Sequence, residues 1–182
     1  LQEYIKNEEV KAIEGGYSFR SSLFSANINT YFTIWKNKPS VVSERIGDYT
    51  YSDFVPMDAK HKGLELDWAY KFSQKLSIEG LLSLGDWVWT SGGEAIMLNS
   101  NNNSPSEEGI ANLDTLRYNA NGIHVGDAAQ TQYGLSIRYE PTYNSYIKIR
   151  GTYFADYYSD FDAGTLSGDN AGRESWEIPS YQ

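Results

Sequence analysis

Residues 61–72 read HKGLELDWAYKF. Leu64, Leu66, Trp68, Tyr70 and Phe72 take every second place, with Gly63, Glu65, Asp67, Ala69 and Lys71 between them. Successive side chains on a strand point to opposite faces. The stretch therefore predicts a strand with one large apolar face and one small, charged face. A soluble sheet hides such an apolar face in a core, whereas a membrane barrel shows it to lipid and turns the charges towards a wet lumen.

The pattern recurs along the chain. In 12–20, Ile13, Gly15, Tyr17 and Phe19 oppose Glu14, Gly16, Ser18 and Arg20. In 24–36, Phe24, Ala26, Ile28, Thr30, Phe32 and Ile34 oppose Ser25, Asn27, Asn29, Tyr31, Thr33 and Trp35. Residues 76–90 and 129–140 repeat the arrangement, with Leu81 breaking it once, and residues 146–158 repeat it again. The period is two throughout, and no comparable stretch keeps a period of 3.6. This predicts six strands and the start of a seventh near Trp176. The joins alternate: short turns near 21–23, 73–75 and 141–145, and long connections over about 37–60, 91–122 and 159–174. The long ones are rich in Gly, Ser, Asn and Asp and are expected to be loops.

Composition supports the membrane setting. Mean hydropathy is -0.54, but half of each barrel strand is polar, so bulk hydropathy is blind to such a fold. No apolar run reaches the ~18 residues of a transmembrane helix. Aromatics make up 15% of the chain, led by 15 Tyr, as girdled barrels require. A net charge of -9 disfavours nucleic acid as a partner, and the absence of cysteine excludes disulfides and thiolate metal sites. The expected fold is all-β: an antiparallel transmembrane β-barrel segment with short periplasmic turns and long extracellular loops. Phe19, Phe24, Phe72 and Tyr139 are expected in the periplasmic girdle, and Trp89 and Tyr157 near the outer one. The competing expectation is a soluble antiparallel sandwich, which must bury Trp68, Tyr70, Tyr133, Tyr139 and Tyr153 with partners for their polar tips.

Four segments carry a family resemblance: GYSFRSSLFSANINTYFTIWKNKP (16–39), PMDAKHKGLELDWAYKFSQKLSIEGLLSLGDWVWT (56–90), HVGDAAQTQYGLSIRYEP (124–141) and YIKIRGTYFADYYSDFD (146–162). The strand opening A-x-H-x-G-L-E-L-D at Ala59 and the stretch H-V-G-D-A-A-Q at His124 are the most specific pieces. In their order and spacing these segments resemble late barrel strands of TonB-dependent outer-membrane receptors of the Bacteroidetes type. The resemblance implies a 22-stranded barrel filled by a plug domain, a TonB box that couples to TonB, and location in the outer membrane of a Gram-negative bacterium. By this resemblance residues 1–182 match about a third of such a barrel, and neither plug nor TonB box falls within them. The acidic D-L-N-G-D-G stretch of sugar-importing relatives is absent, which favours an iron–siderophore or similar metal complex as the small nutrient ligand. A passive porin, an oligosaccharide importer and a secreted carbohydrate-binding β-sandwich are the rival expectations.

Enzyme signals are poor, so no catalytic residue, metal site or cofactor is expected. His61 and His124 are the only histidines, and neither sits in a metalloprotease or nucleophile-elbow context. His61 reads as a rim residue. Asp156, Asp160 and Asp162 read as a solvated loop base, without the spacing of a calcium loop. Glu65, Asp67, Lys71, Glu79, Arg138, Lys148 and Arg150 form a mixed-charge lumen face, suited to bonding the plug or lining a polar path. Trp35, Tyr49, Tyr51, Trp87, Trp89 and His124 are the candidate ligand residues, because aromatics beyond the outer strand ends can stack on a flat ligand. Trp35 and Trp87 have inward parity.

Overall fold

The computed structural model describes residues 6–109, 114–160, 163–166 and 177–178. Their strands are β1 (Glu9–Arg20), β2 (Phe24–Ile46), β3 (Tyr49–Lys71), β4 (Leu76–Trp89), β5 (Gly92–Ile96), β6 (Thr115–Asn119), β7 (Ala129–Thr142), β8 (Ser145–Tyr158) and β9 (Glu177–Ile178). A single 3-10 turn covers Ala163–Leu166. The main sheet has the order β1-β2-β3-β4-β7-β8-β9, and β5–β6 form a separate hairpin. Every pairing is antiparallel, and the main sheet is open, with β1 and β9 at its edges. The fold is thus all-β. The described residues of the expected seventh strand are Glu177 and Ile178, which pair with Tyr158 and Tyr157; Trp176 lies outside the described residues.

The register joins the alternating faces into two continuous surfaces. Tyr17, Ile28, Leu66, Leu82, Tyr133 and Tyr153 form one rung across six strands. The neighbouring rung on the opposite face is Ser18, Asn27, Asp67, Leu81, Gly134 and Thr152. A one-residue slip in any strand would mix the two. Leu81, the exception in the alternation, sits on the polar face where Gly134 leaves room: a Cβ there would lie 3.2 Å from Leu81 Cγ.

The apolar face is open. Ile13 is 71% exposed and Ile149 72%, and Leu135, Ile137 and Tyr133 are also exposed. Trp68 lies flat over Gly80, whose missing Cβ makes that contact possible. At the turn end the expected girdle residues lie on this face: Phe19 and Phe24 are 6.2 Å apart, Phe72 is 4.7 Å from Tyr70, and Tyr139 pairs with Leu76. From Leu76 to Leu84 the apolar band covers about 27 Å of strand at ~3.4 Å per residue. Charges on this face begin at the rung Ile13–Phe32–Lys62–Asp86. From there towards the long hairpin lie Glu9, Lys11, Lys36, Asp58 and Lys60. Among the described residues, the strands carry no charge on this face between that rung and the turn end.

One of the three expected loops is largely strand, and a second holds a short hairpin. The first, 37–60, continues β2 and β3 as one long hairpin closed by Gly47 and Asp48, with Gly47 at φ 62°. A bulge between Trp35 and Lys38 shifts the register; Asn37 takes φ 55°, and its N–H donates to Asp58 Oδ1 at 2.9 Å. The second, 91–122, contains the β5–β6 hairpin. The third contains the 3-10 turn within its described part.

These elements enclose the core of the molecule. Val42, Tyr51, Val55, Met57, Ala59 and Trp89 face Ala95, Met97, Tyr118, Ala120, Ile123 and Ala163, and all are buried. β5 lies against β3, and the 3-10 turn lies against β2 and β6. The core is on the same side of the sheet as the polar wall, at its hairpin end. Trp89 is therefore not a girdle residue. The odd-numbered positions of β4 stay on the polar side up to its last residue, where Trp89 pairs with Ala59 and is 7% exposed. Tyr157 keeps outward parity and donates its hydroxyl to Asp127 O at 3.2 Å.

Candidate functional site

The polar face changes character where the wall meets the cap. Going along β3, Asp67 and Glu65 give way to Gly63, then His61, then Ala59 and the cap core. The residues at this junction form an aromatic shelf. Tyr31 pairs with Gly63, and Gly63 with Gly85. A Cβ on Gly63 would come within 2.3 Å of Tyr31 Oη, and one on Gly85 within 2.9 Å of Trp87 Nε1. The two glycines thus let both rings lie across the sheet, where Trp87 Nε1 donates to Tyr31 Oη at 2.8 Å.

His61 sits 5.6 Å from Trp87 and 6.1 Å from Trp35, measured between ring centres. Its Nε2 is buried without a hydrogen-bond partner among the described residues. Lys38 Nζ lies 4.8 Å from the centre of Trp35 and 5.4 Å from that of Trp89. Trp35 Nε1 bonds Glu8 Oε1. The shelf therefore offers ring faces, one cation and one unsatisfied imidazole nitrogen.

Gln130 fixes the shelf from behind. It is 2% exposed and acts as a rung where the β4–β7 ladder ends. Its Oε1 accepts from Trp87 N–H at 2.8 Å, and its Nε2 donates to Trp87 O at 3.1 Å and Val125 O at 3.2 Å.

The expected ligand residues are thus split. Trp35 and Trp87 belong to the shelf. Trp89 contributes its ring to Lys38 but is otherwise buried in the cap. Tyr51 is 0% exposed inside the cap core, which puts its ring out of reach of a ligand; Tyr49, 6.3 Å away, is exposed beside the hairpin turn. His124 stacks on Tyr158 at 4.0 Å with planes 4° apart, and bridges to Val88. Tyr31, Lys38, His61 and Gln130 were not singled out as ligand candidates, although the parity of β3 already places His61 with Glu65 and Asp67.

The mixed-charge wall lies below the shelf. Glu79 accepts from Lys148 Nζ at 2.6 Å and Ser136 Oγ at 3.1 Å. Asp67, Glu79 and Arg150 line one shallow cavity, and Glu65 lines a second with Glu14 and Tyr31. Arg138 binds Glu140 at 2.8 Å and lies 4.0 Å over Tyr146. Lys71 is exposed at the turn end. The wall is mixed in charge along its length: Glu14, Glu65, Asp67 and Lys71 lie on β1 and β3, and Arg138, Glu140, Lys148 and Arg150 on β7 and β8. Among the described residues no three His, Asp or Glu side chains converge as a metal site. Asp156 takes φ 52° at the end of β8, and Asp162 lies outside the described residues.

No known family, curated protein or solved structure matches this chain.

Proposed function

We propose that the sheet is a sector of the transmembrane wall of a TonB-dependent outer-membrane receptor that actively imports a scarce nutrient. The observation that carries the membrane part is the outer face: apolar across six strands, uncovered, and without charge from the turn end to the Lys62–Asp86 rung. A charge in the middle of such a band costs about 2–4 kcal/mol in lipid, so its clean segregation is what a bilayer imposes. A soluble sandwich would lay its second sheet on that face. Here the second hairpin covers the other face instead. The free edge of β1 argues for further strands, because unpaired backbone groups in lipid cost several kcal/mol each.

The receptor part rests on the family-like segments and on the shelf. In this reading the long hairpin and its cap point outside the cell and the turns face the periplasm. An iron–siderophore or similar metal complex meets Trp35, Trp87, His61 and Lys38. The charged wall holds the protein's own plug, and TonB pulls on that plug to open a path. No bond is made or broken.

The test is a nitroxide placed in turn at 64, 65, 66 and 67 in the intact protein. Oxygen access peaking at 64 and 66, with access of a water-soluble nickel reagent favouring 65 and 67, is expected. Low access of both reagents at 64 and 66 means a protein core and removes the wall. Nutrient uptake into proteoliposomes that needs neither TonB nor a proton gradient leaves the wall standing and sinks the energised receptor.

A further inference from the structure

We infer that the outer face carries a binding site for the phosphate-bearing headgroup of a membrane lipid, built from Lys11, Lys60 and Lys62 and seated on Ile13, Phe32, Ile34 and Leu64. This rests on the membrane-wall reading above. The argument is one of position. Lys11 pairs with Ile34, and Ile34 with Lys60, so two ammonium-bearing residues flank one apolar residue on a single rung. Lys62 follows one rung towards the apolar band, next to Phe32. Lys36 adds a fourth cation beside Glu9. Neighbouring strands lie about 4.8 Å apart, so Lys11 and Lys60 stand roughly 10 Å from each other.

The two margins of the band differ. At the turn end the outer face closes with Phe19, Phe24, Tyr70, Phe72 and Tyr139, which are aromatic and uncharged. At the hairpin end it closes with four lysines against three carboxylates, in a chain whose net charge is -9. Lys11 and Lys62 keep their side chains 72% and 51% exposed while ion-paired to Glu9 and Asp86. Those carboxylates hold the ammonium groups at the margin and leave N–H donors for a further anion. A ligand that touches the exposed apolar residues and the lysines together is an amphiphile with an anionic head. Phosphate is the anion such heads present, and lysine binds it as a point charge.

The intact protein is reconstituted in zwitterionic bilayers doped with a bisphosphorylated glycolipid, lipid A, or with its dephosphorylated form. Lipid retained after repurification is counted by mass spectrometry. Wild-type protein is expected to retain the phosphorylated form only. Retention should fall about tenfold in the K11Q/K60Q/K62Q variant and persist in K11R/K60R/K62R. Asp86→Asn removes the competing carboxylate and should raise retention several-fold, a gain that misfolding cannot imitate. Equal retention by the wild-type protein and the glutamine variant, or no gain with Asp86→Asn, overturns the inference. So does competition by inorganic phosphate as strong as by the lipid, which would indicate a simple ion site. Nitroxides at 64 and 66 in the same preparation separate the two failures. Oxygen-accessible labels with no lysine dependence sink the lipid site alone, whereas inaccessible labels sink the wall and the lipid site with it.

Discussion

The hairpin end and the turn end of this sheet use one alternating pattern for opposite purposes. At the hairpin end Val42, Tyr51, Val55 and Met57 are at most 2% exposed, because β5–β6 and the 3-10 turn lie over them. Along the wall, residues of the same kinds stand open: Ile13, Ile147 and Ile149 are all more than 60% exposed. The two sets also occupy opposite faces. The polar face of the wall becomes the apolar face of the cap as β3 passes from Asp67 through His61 to Met57. Alternation tells which side chains share a face. What covers that face is decided by segments far away in the sequence, here β5 and β6.

The largest expected effect follows from the open face. Isolated residues 1–182 in plain buffer should associate or precipitate, and should disperse when detergent covers the band, as read by light scattering. A monodisperse monomer with a sharp cooperative melt in plain buffer would erase the difference between the two regions.

Within the intact protein, substitutions separate the regions. Met97→Ala in the cap should cost about 2–5 kcal/mol, read as loss of protease resistance in the long hairpin while membrane insertion is kept. Leu66→Arg, near the middle of the band, should cost about 2–4 kcal/mol, read as loss of inserted protein, while Glu65→Arg leaves insertion unchanged. If Leu66→Arg inserts as well as the wild type, the outer face does not meet lipid.

Much of the wall was legible in the sequence because a single physical demand, alternation, runs along β1, β4, β7 and β8, with Leu81 its exception in β4. The cap was not. Residues 37–60 contain Pro39 and Pro56, which interrupt a strand reading because proline lacks a ladder donor. In the fold the two prolines pair with each other, confining the missing donors to one rung. The bulge at Asn37 also shifts the parity of β2, so a strict count fails there. Gly47–Asp48 was the available hairpin signal. Residues 92–119 are two five-residue strands separated by a long Asn- and Ser-rich excursion, too short and too far apart for a periodicity argument. The shelf was half legible. Trp35 and Trp87 follow from parity, but Tyr31, Gly63 and Gly85 matter only through cross-strand register, and Lys38 only through the bulge.

The shelf gives a smaller test of the junction between the regions. Tyr31→Phe removes the acceptor of Trp87 Nε1–H in a half-buried place, at a cost of about 1 kcal/mol. The Trp87 emission should shift while cap protease resistance and insertion stay unchanged. Gly63→Val should act more strongly on the same emission, since its side chain collides with Tyr31.

The smallest expected effect is electrostatic and lies in the cap's own loop. Ser106 donates to Asp114 twice, from its N–H at 2.8 Å and its hydroxyl at 2.5 Å, and these bonds hold the Asp114 carboxyl below the ordinary 3.8. A carboxyl whose pKa is depressed on folding stabilises the folded loop above its unfolded pKa. That contribution is lost as pH falls through the folded value. Proteolysis next to Ser106 and Asp114 should therefore rise only on acidification below about pH 4, and Ser106→Ala should remove most of this pH dependence. Asp114 is solvent-accessible, so the wall should not respond: labels at 64 and 66 should report the same oxygen access across that pH range. A wall that loosens together with this loop would mean that the two regions fold as one unit, and that the boundary at Asn37 and His61 divides their surfaces without dividing their stability.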